Sequence, residues 1–250
     1  MQSLIASPFQ LLLLSNSRKP KEKFLAWAED HIRAHFPTSG SLLFIPFASV
    51  TYPWDDYADL VRTTFRAYGI SVNSLHEADD YRQAIRNTDG IIVGGGNTFN
   101  LLYHLTKLYL LPLIREVVND GIPYLGWSAG SNVACPTIQT TNDMPVRDLP
   151  SLQSLNLVPF QLNVHYTDET LPHHGGESRS DRLIEFSTLH PSRLIIGLPE
   201  GSALQVRGGT VHLLGSNTAE RFLAGQRQQP LQPGKYTFNR TDCFGAEGVN

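Results

Sequence analysis

The chain has 250 residues, of which 41% are hydrophobic, 17% charged and 10% aromatic, a globular composition too apolar for intrinsic disorder. Twenty Lys and Arg against 23 Asp and Glu leave a net charge of −3, so no electrostatic footprint for nucleic acid or an anionic membrane is present. The two cysteines, Cys135 and Cys243, cannot build a disulfide framework, and no Cys/His cluster has zinc-ligand spacing. A reduced cytoplasmic protein is expected.

The first apolar run, 11–14, is four leucines, far short of the roughly 20 residues that span a bilayer. No basic segment precedes it, so no secretory signal is expected, and it reads as a buried strand. Further strands are expected at 42–47, 70–75, 90–93 and 124–126, several of them apolar at consecutive positions, as parallel strands covered on both faces are. Between them, 21–35 places Phe24, Trp27, Ala28 and Ile32 on one helical face, and 55–68 does the same with Tyr57, Leu60, Val61 and Phe65. Thr98 is the expected cap of a helix carrying Leu101, Leu102, Leu105 and Leu108. Pro112 suits the first turn of the next, with Gly121 beyond its end. This alternation predicts an α/β fold, a doubly wound, mostly parallel sheet with helices on both faces.

Later in the chain, 194–198 and 204–207 read as strands, 211–214 as a returning hairpin strand and 181–187 as a helix. The tail from about 225 is rich in Gln, Pro and Gly and is expected to be loosely held. No repeat or linker divides the sequence. Residues 1–250 are therefore expected to form one α/β domain, with the extension 1–9 and the tail poorly assigned.

The sharpest local signal is Gly126-Trp127-Ser128-Ala129-Gly130, a Gly-x-Ser-x-Gly run directly after an apolar strand and before a helix-compatible stretch. That is the context of a nucleophile elbow, where a tight turn lifts the serine hydroxyl above the sheet. A second cluster, Gly94-Gly95-Gly96-Asn97, also follows a strand and precedes a helix. It could cradle a phosphate, but Phe99 stands where a dinucleotide fingerprint needs its third glycine, and no Walker lysine follows. The alternative is an oxyanion hole, with the N–H groups of Gly96 and Ala129 aimed at one oxygen.

A nucleophilic serine needs a base. Of nine histidines, His165 is favoured, because it ends the alternating run 161–166 where a loop above a sheet could reach Ser128. His173 and His174 offer a metal reading without a third ligand. The orienting carboxylate is either Glu200, after the strand 194–198, or Asp143; spacing does not choose between them.

Six segments, 94–99, 126–136, 140–145, 155–165, 176–182 and 196–201, resemble in the same order those of peptidase E, the α-aspartyl dipeptidase group of serine peptidases. Ser15-Asn16 and 54–57 extend the likeness, which runs from Leu11 to about Gly215; Ser131 departs from it, standing where a small apolar residue would also fit. The resemblance implies a class I glutamine amidotransferase-like (flavodoxin-like) fold. It implies Ser128 as nucleophile, His165 as general base and Glu200 as orienting acid, with Asp143 the alternative acid or a substrate-amine contact. Gly96 and Ala129 would supply the oxyanion N–H groups. Arg179 would grip the β-carboxylate of a small Asp-Xaa substrate, and Glu177 or Asp143 would accept from its α-amine. Neither a metal nor an organic cofactor is implied, and a homodimer stays open. Three alternatives accompany this reading: a cyanophycinase-like hydrolase of β-aspartyl links, a non-catalytic binding module, and an Arg179 that merely pairs with Glu177 or Asp181 at the surface.

Overall fold

The structure, a computed structural model, describes residues 9–36, 40–169 and 175–237. Strand β1, Gln10–Leu14, sets the plan. Successive side chains of a strand point to opposite faces. Leu11 and Leu13 accordingly enter one hydrophobic core, and Leu12 and Leu14 the other. All four are wholly buried, each worth about 1.5–3 kcal/mol relative to exposure. The same alternation runs through β2 (Ser41–Ile45), β4 (Gly90–Val93) and β5 (Tyr124–Trp127), which explains their unbroken apolar sequences.

With β3 (Ser71–Ser74), these strands form the parallel part of an eight-stranded sheet, in spatial order β1-β5-β4-β2-β3. Helices α1 (Glu29–His35) and α2 (Trp54–Ala67) carry the chain outward across one face. Helices α3 (Tyr81–Arg86), α4 (Thr98–Lys107) and α5 (Leu111–Asn119) carry it back across the other. The direction of travel reverses after β3 and the covered face reverses with it, as crossovers of a single hand require. The doubly wound, mostly parallel sheet expected from the sequence is what forms.

Beyond β1 the sheet continues antiparallel through β8 (Ala203–Arg207), β9 (Thr210–Leu214) and β12 (Gly234–Thr237). A second, four-stranded sheet has the order β11-β10-β7-β6, made of β6 (Gln161–Val164), β7 (Ile195–Leu198), β10 (Ala219–Leu223) and β11 (Gln226–Leu231). Only β6 and β7 in it are parallel. One face adds Leu162, Val164, Ile196 and Leu198 to the larger core, and helix α7 (Arg179–Leu189) covers the other through Leu183, Ile195 and Phe222.

Four expectations need correction. The segment 21–35 is helical only from 26, as a 3-10 turn (Ala26–Ala28) followed by α1, because Lys21 and Leu25 take positive φ and break the helix before it begins. Asn97, not Thr98, caps α4, its side chain accepting from the Asn100 N–H. Strand β3 stops at Ser74, and Leu75 opens a 3-10 turn. The tail is not loose up to Thr237, since β11 and β12 each pair with a neighbour. Residues 1–8 and 238–250, including Cys243, lie outside the described residues, as do His173 and His174.

Candidate active site

The carboxyl ends of β1, β4, β5, β6 and β7 converge, the usual place for a ligand site in an open α/β sheet. Ser128 follows β5 directly and precedes the single-turn helix α6 (Ala129–Asn132). Its backbone, at φ 52 and ψ −113, lies outside the regions an L-residue prefers. Such strain costs about 1–3 kcal/mol and persists only where the surroundings over-determine it. Here they do. The Ser128 N–H donates to Leu14 O (3.1 Å), and the N–H groups of Ser131 and Asn132 close onto Ser128 O. Ser131 Oγ donates to Leu14 O (2.7 Å), and Tyr124 Oη donates to Gly130 O (2.6 Å). Ser131 is therefore more than a small space-filler, because an apolar residue there would leave Leu14 O one donor short.

The Ser128 side chain is half-buried and opens to a cleft. Its Oγ lies 2.9 Å from His165 Nε2, and His165 Nδ1 lies 2.7 Å from Glu200 Oε1. For the hydroxyl to donate to Nε2, that nitrogen must be bare, so the proton sits on Nδ1 and is donated to Glu200. The imidazole and the carboxylate remain 37% and 49% exposed, so water reaches both. Of the two carboxylates left open by the sequence, Glu200 is the one beside the ring. Asp143 is engaged elsewhere: its Oδ2 accepts from the Thr98 N–H (2.8 Å), from the Thr98 hydroxyl and from Thr141 Oγ1 (3.1 Å). It pins the start of α4 rather than the imidazole.

His165 also has a positive φ, 52°, just past the end of β6. Its N–H donates to Ser15 Oγ (2.9 Å), and Ser15 Oγ donates in turn to Leu198 O (2.8 Å). Asn16 Oδ1 accepts from the Gly201 N–H (2.8 Å), fastening the turn that carries Glu200. Ser15 and Asn16 are wholly buried polar residues at the end of an all-leucine strand. That contrast was the available signal, and sequence reasoning assigned them no task.

The loop after β4 runs against the elbow. A methyl group built at Gly95 would stand 3.1 Å from Ser128 Cβ. Gly96 has φ +142, and a Cβ there would meet Ala48 O at 2.3 Å, so only glycine fits. Trp127 Nε1 donates to Tyr57 Oη (2.9 Å), which donates to Gly95 O (3.2 Å). Burial pushes the Tyr57 phenol well up, keeping it a donor. Fixing Gly95 O also fixes the Gly96 N–H, because both belong to one planar trans peptide. The Ala129 N–H begins α6, ahead of the first intrahelical donor.

Arg179 opens α7 with its guanidinium on the carbonyl side of His165: Nη1 donates to His165 O and, at 3.4 Å, to Val164 O. Burial, with Arg182 nearby, lowers its pKa from the usual value. The surface-pair reading fails, since Glu177 pairs with Arg182 (3.9 Å) and Asp181 closes a capping box with Ser178. Among the described residues no carboxylate comes within ion-pair distance of Arg179.

The profile of peptidase family S51 matches residues 11–214. The chain belongs to peptidase family S51. Among curated relatives, it is 44% identical to a peptidase E of Nostoc sp. strain PCC 7120 over 225 residues, covering 90% of this chain and 93% of that one. It is also 44% identical to a peptidase E of Shewanella sp. strain ANA-3 over 223 residues, covering 89% and 94%. A solved structure of a peptidase from an acI-B1 Actinobacterium superposes with a TM-score of 0.69 at 17% identity, covering 92% of this chain and 97% of that one, a likeness of fold. All the segments compared above fall inside the span matched to family S51. Among the described residues, no helix is long and apolar enough to cross a membrane.

Proposed function

We propose that this S51 peptidase is a serine exopeptidase of the reducing cytoplasm that hydrolyses dipeptides, and some tripeptides, bearing an N-terminal aspartate. The observation that carries the reading is the hydrogen-bonded series Ser128–His165–Glu200 at the strand ends. Ser128 Oγ attacks the carbonyl carbon of the aspartyl residue while His165 Nε2 takes its proton. Glu200 holds the tautomer and stabilises the imidazolium that forms. The oxyanion sits between the N–H groups of Gly96 and Ala129, each donor worth about 3 kcal/mol of transition-state stabilisation. His165 then protonates the leaving amine, the C–N bond breaks, and water hydrolyses the aspartyl ester with His165 again as base.

Aspartate preference follows from Arg179. A carboxylate leaving water must meet a cation or several donors. The planar guanidinium keeps N–H groups beyond those used on the His165 and Val164 carbonyls, and among the described residues no carboxylate pairs with it. The substrate α-amine is received by Glu177, on the same segment and only loosely paired, or by Asp143. Of the two, Glu177 is the freer, because three donors already occupy Asp143.

A release assay over Asp-Leu, Asn-Leu, Glu-Leu, Ala-Leu and β-Asp-Arg tests this. Asp-Leu is expected to exceed Asn-Leu by at least about a hundredfold in kcat/KM, since a site built for a charged partner leaves its own groups unpaired with the amide. Ser128→Ala is expected to lose at least about ten-thousandfold in kcat while keeping the fold. Equal rates for Asp-Leu and Asn-Leu would remove the charge argument. Faster turnover of β-Asp-Arg would favour the polymer-cleaving alternative.

A further inference from the structure

Ser128 opens into a cleft of about 330 Å³ that His165 also lines. Arg18, Phe24, Tyr52 and Leu60 also line this cleft. A second hollow of about 680 Å³ runs along α2 and shares Arg18, Phe24 and Leu60 with the first, so Arg18 stands where the two meet. Arg179 does not line this cleft; its guanidinium lies against the His165 carbonyl oxygen. Two separate cations therefore stand near His165, Arg18 within the cleft and Arg179 outside its lining. The group that takes the proton from His165 Nε2 is the leaving amine, and the space next to that nitrogen is this cleft.

In a dipeptide, the leaving residue carries a free carboxylate one residue past the scissile nitrogen, roughly 3.5 Å of chain. A cation meant for it must line the same cleft as the serine. Arg18 is the lone Arg or Lys among the residues lining it. The backbone of Arg18 is fixed, because Asn16 Nδ2 donates to its carbonyl (2.7 Å) and the Leu25 N–H donates to Ser17 O (2.7 Å). Its guanidinium is exposed, and among the described residues no carboxylate lies within 4 Å of it. Beside it, Phe24 and Leu60 offer apolar surface with no charge.

We propose that Arg18 binds the α-carboxylate of the residue released by cleavage, and that Phe24 and Leu60 receive its side chain. This rests on the reading of Ser128 and His165 as nucleophile and base. The enzyme then prefers a dipeptide with an apolar second residue because that substrate brings one carboxylate to each cation: its aspartyl carboxylate to Arg179 and its terminal carboxylate to Arg18.

The test compares Asp-Leu with Asp-Leu-amide, which lacks only the terminal charge. Wild-type enzyme is expected to favour the acid by about 1.5- to fivefold in kcat/KM, carried in KM, the range for an exposed ion pair. The preference should shrink as salt rises. Arg18→Gln should lose that factor on Asp-Leu, lose nothing on the amide, and keep the wild-type ratio of Asp-Leu to Asn-Leu. Equal losses on both substrates, or no wild-type preference for the acid, would overturn the assignment. A collapsed Asp-to-Asn ratio would overturn it too, by placing Arg18 on the aspartyl side. Titration of both ligands into Ser128→Ala, with and without Arg18→Gln, reads the same contact without turnover. Discrimination in binding with no wild-type turnover would sink the catalytic reading and keep the subsite; turnover without discrimination would do the reverse.

Discussion

Ser128 takes its conformation mainly from the turn between Tyr124 and Asn132, with one distant anchor at Leu14 O, whereas His165 and the turn bearing Glu200 are held by side chains 150 to 185 positions away in the chain. The serine half is a strand, a strained turn and one helical turn, all between Tyr124 and Asn132. The histidine half, His165 and Glu200, belongs to a different sheet, just past the ends of β6 and β7. The two halves share one fixture, the end of β1. Leu14 O accepts from Ser128 N and Ser131 Oγ, Ser15 holds His165 and Leu198, and Asn16 holds Gly201. Three consecutive residues at the end of β1 thus hold Ser128, His165 and the turn bearing Glu200 in register. A site split in this way should fail abruptly when its local half is disturbed and by degrees when the fixture is.

The largest effect is expected at Gly130. A Cβ there would stand 2.1 Å from Val93 O, a backbone atom of β4 that cannot swing aside. Gly130→Ala must push α6 off the sheet and carry Ser128 with it. We expect turnover of Asp-Leu to fall below detection and stability to drop by several kcal/mol, since overpacking a rigid contact is among the costliest single changes. Near-normal turnover by a folded Gly130→Ala protein would show that the elbow is not the rigid element described here.

An intermediate effect is expected at Ser15. Ser15→Ala strands the His165 N–H, while Leu198 O keeps the Tyr166 N–H (3.1 Å), costing about 1–3 kcal/mol. If Ser15 aims the imidazole, kcat per folded molecule should fall about ten- to a hundredfold, with KM nearly unchanged, because small displacements of a catalytic group are expensive. A purely structural Ser15 would lower the denaturation midpoint and leave kcat intact. Steady-state kinetics well below the unfolding temperature, beside a urea titration, separates the two.

The contrast between the halves also explains what could be read from the sequence. Gly126–Gly130 announces itself because strand, turn and helix signals lie within a few residues, and the leucines of β1 declare two covered faces. The arrangement of β6, β7, β10 and β11 was not legible, because their partners are set by long-range pairing and by α7 rather than by periodicity; β10, Ala219–Leu223, carries the adjacent charges Glu220 and Arg221 and was not marked as a strand. Glu200 and Asp143 were equivalent on paper. They differ only in which donors surround them, three for Asp143 from Thr98 and Thr141 and an imidazole for Glu200. The 21–35 helix failed for a local reason, the positive φ of Lys21 and Leu25, which no apolar period reveals.

The smallest effect on turnover, and a clean one on stability, is expected at the opposite end of β5. His35, at the close of α1, is 3% exposed, and its Nε2 donates to Tyr124 O (3.0 Å). That bond leaves Nδ1 as a bare, buried nitrogen without a partner among the described residues. Burial, opposed by the bond to Tyr124 and reinforced by Arg207, brings the ring down to about 4 from its ordinary value of 6.5. Below pH 6.5 the unfolded chain takes up a proton that the folded chain refuses until about pH 4. Stability therefore declines across that window and is level above it, by about 3 kcal/mol in all at 1.36 kcal/mol per unit. His35→Gln keeps a donor for Tyr124 O and cannot titrate. Its stability should fall less steeply than wild type between pH 6.5 and 4, while kcat at pH 7.5 stays within about twofold, since the elbow lies at the far end of the strand. Parallel slopes for the two proteins would mean that acid reaches this ring without unfolding the chain. A large loss of kcat in His35→Gln would mean that the serine half is less self-contained than its hydrogen bonds imply.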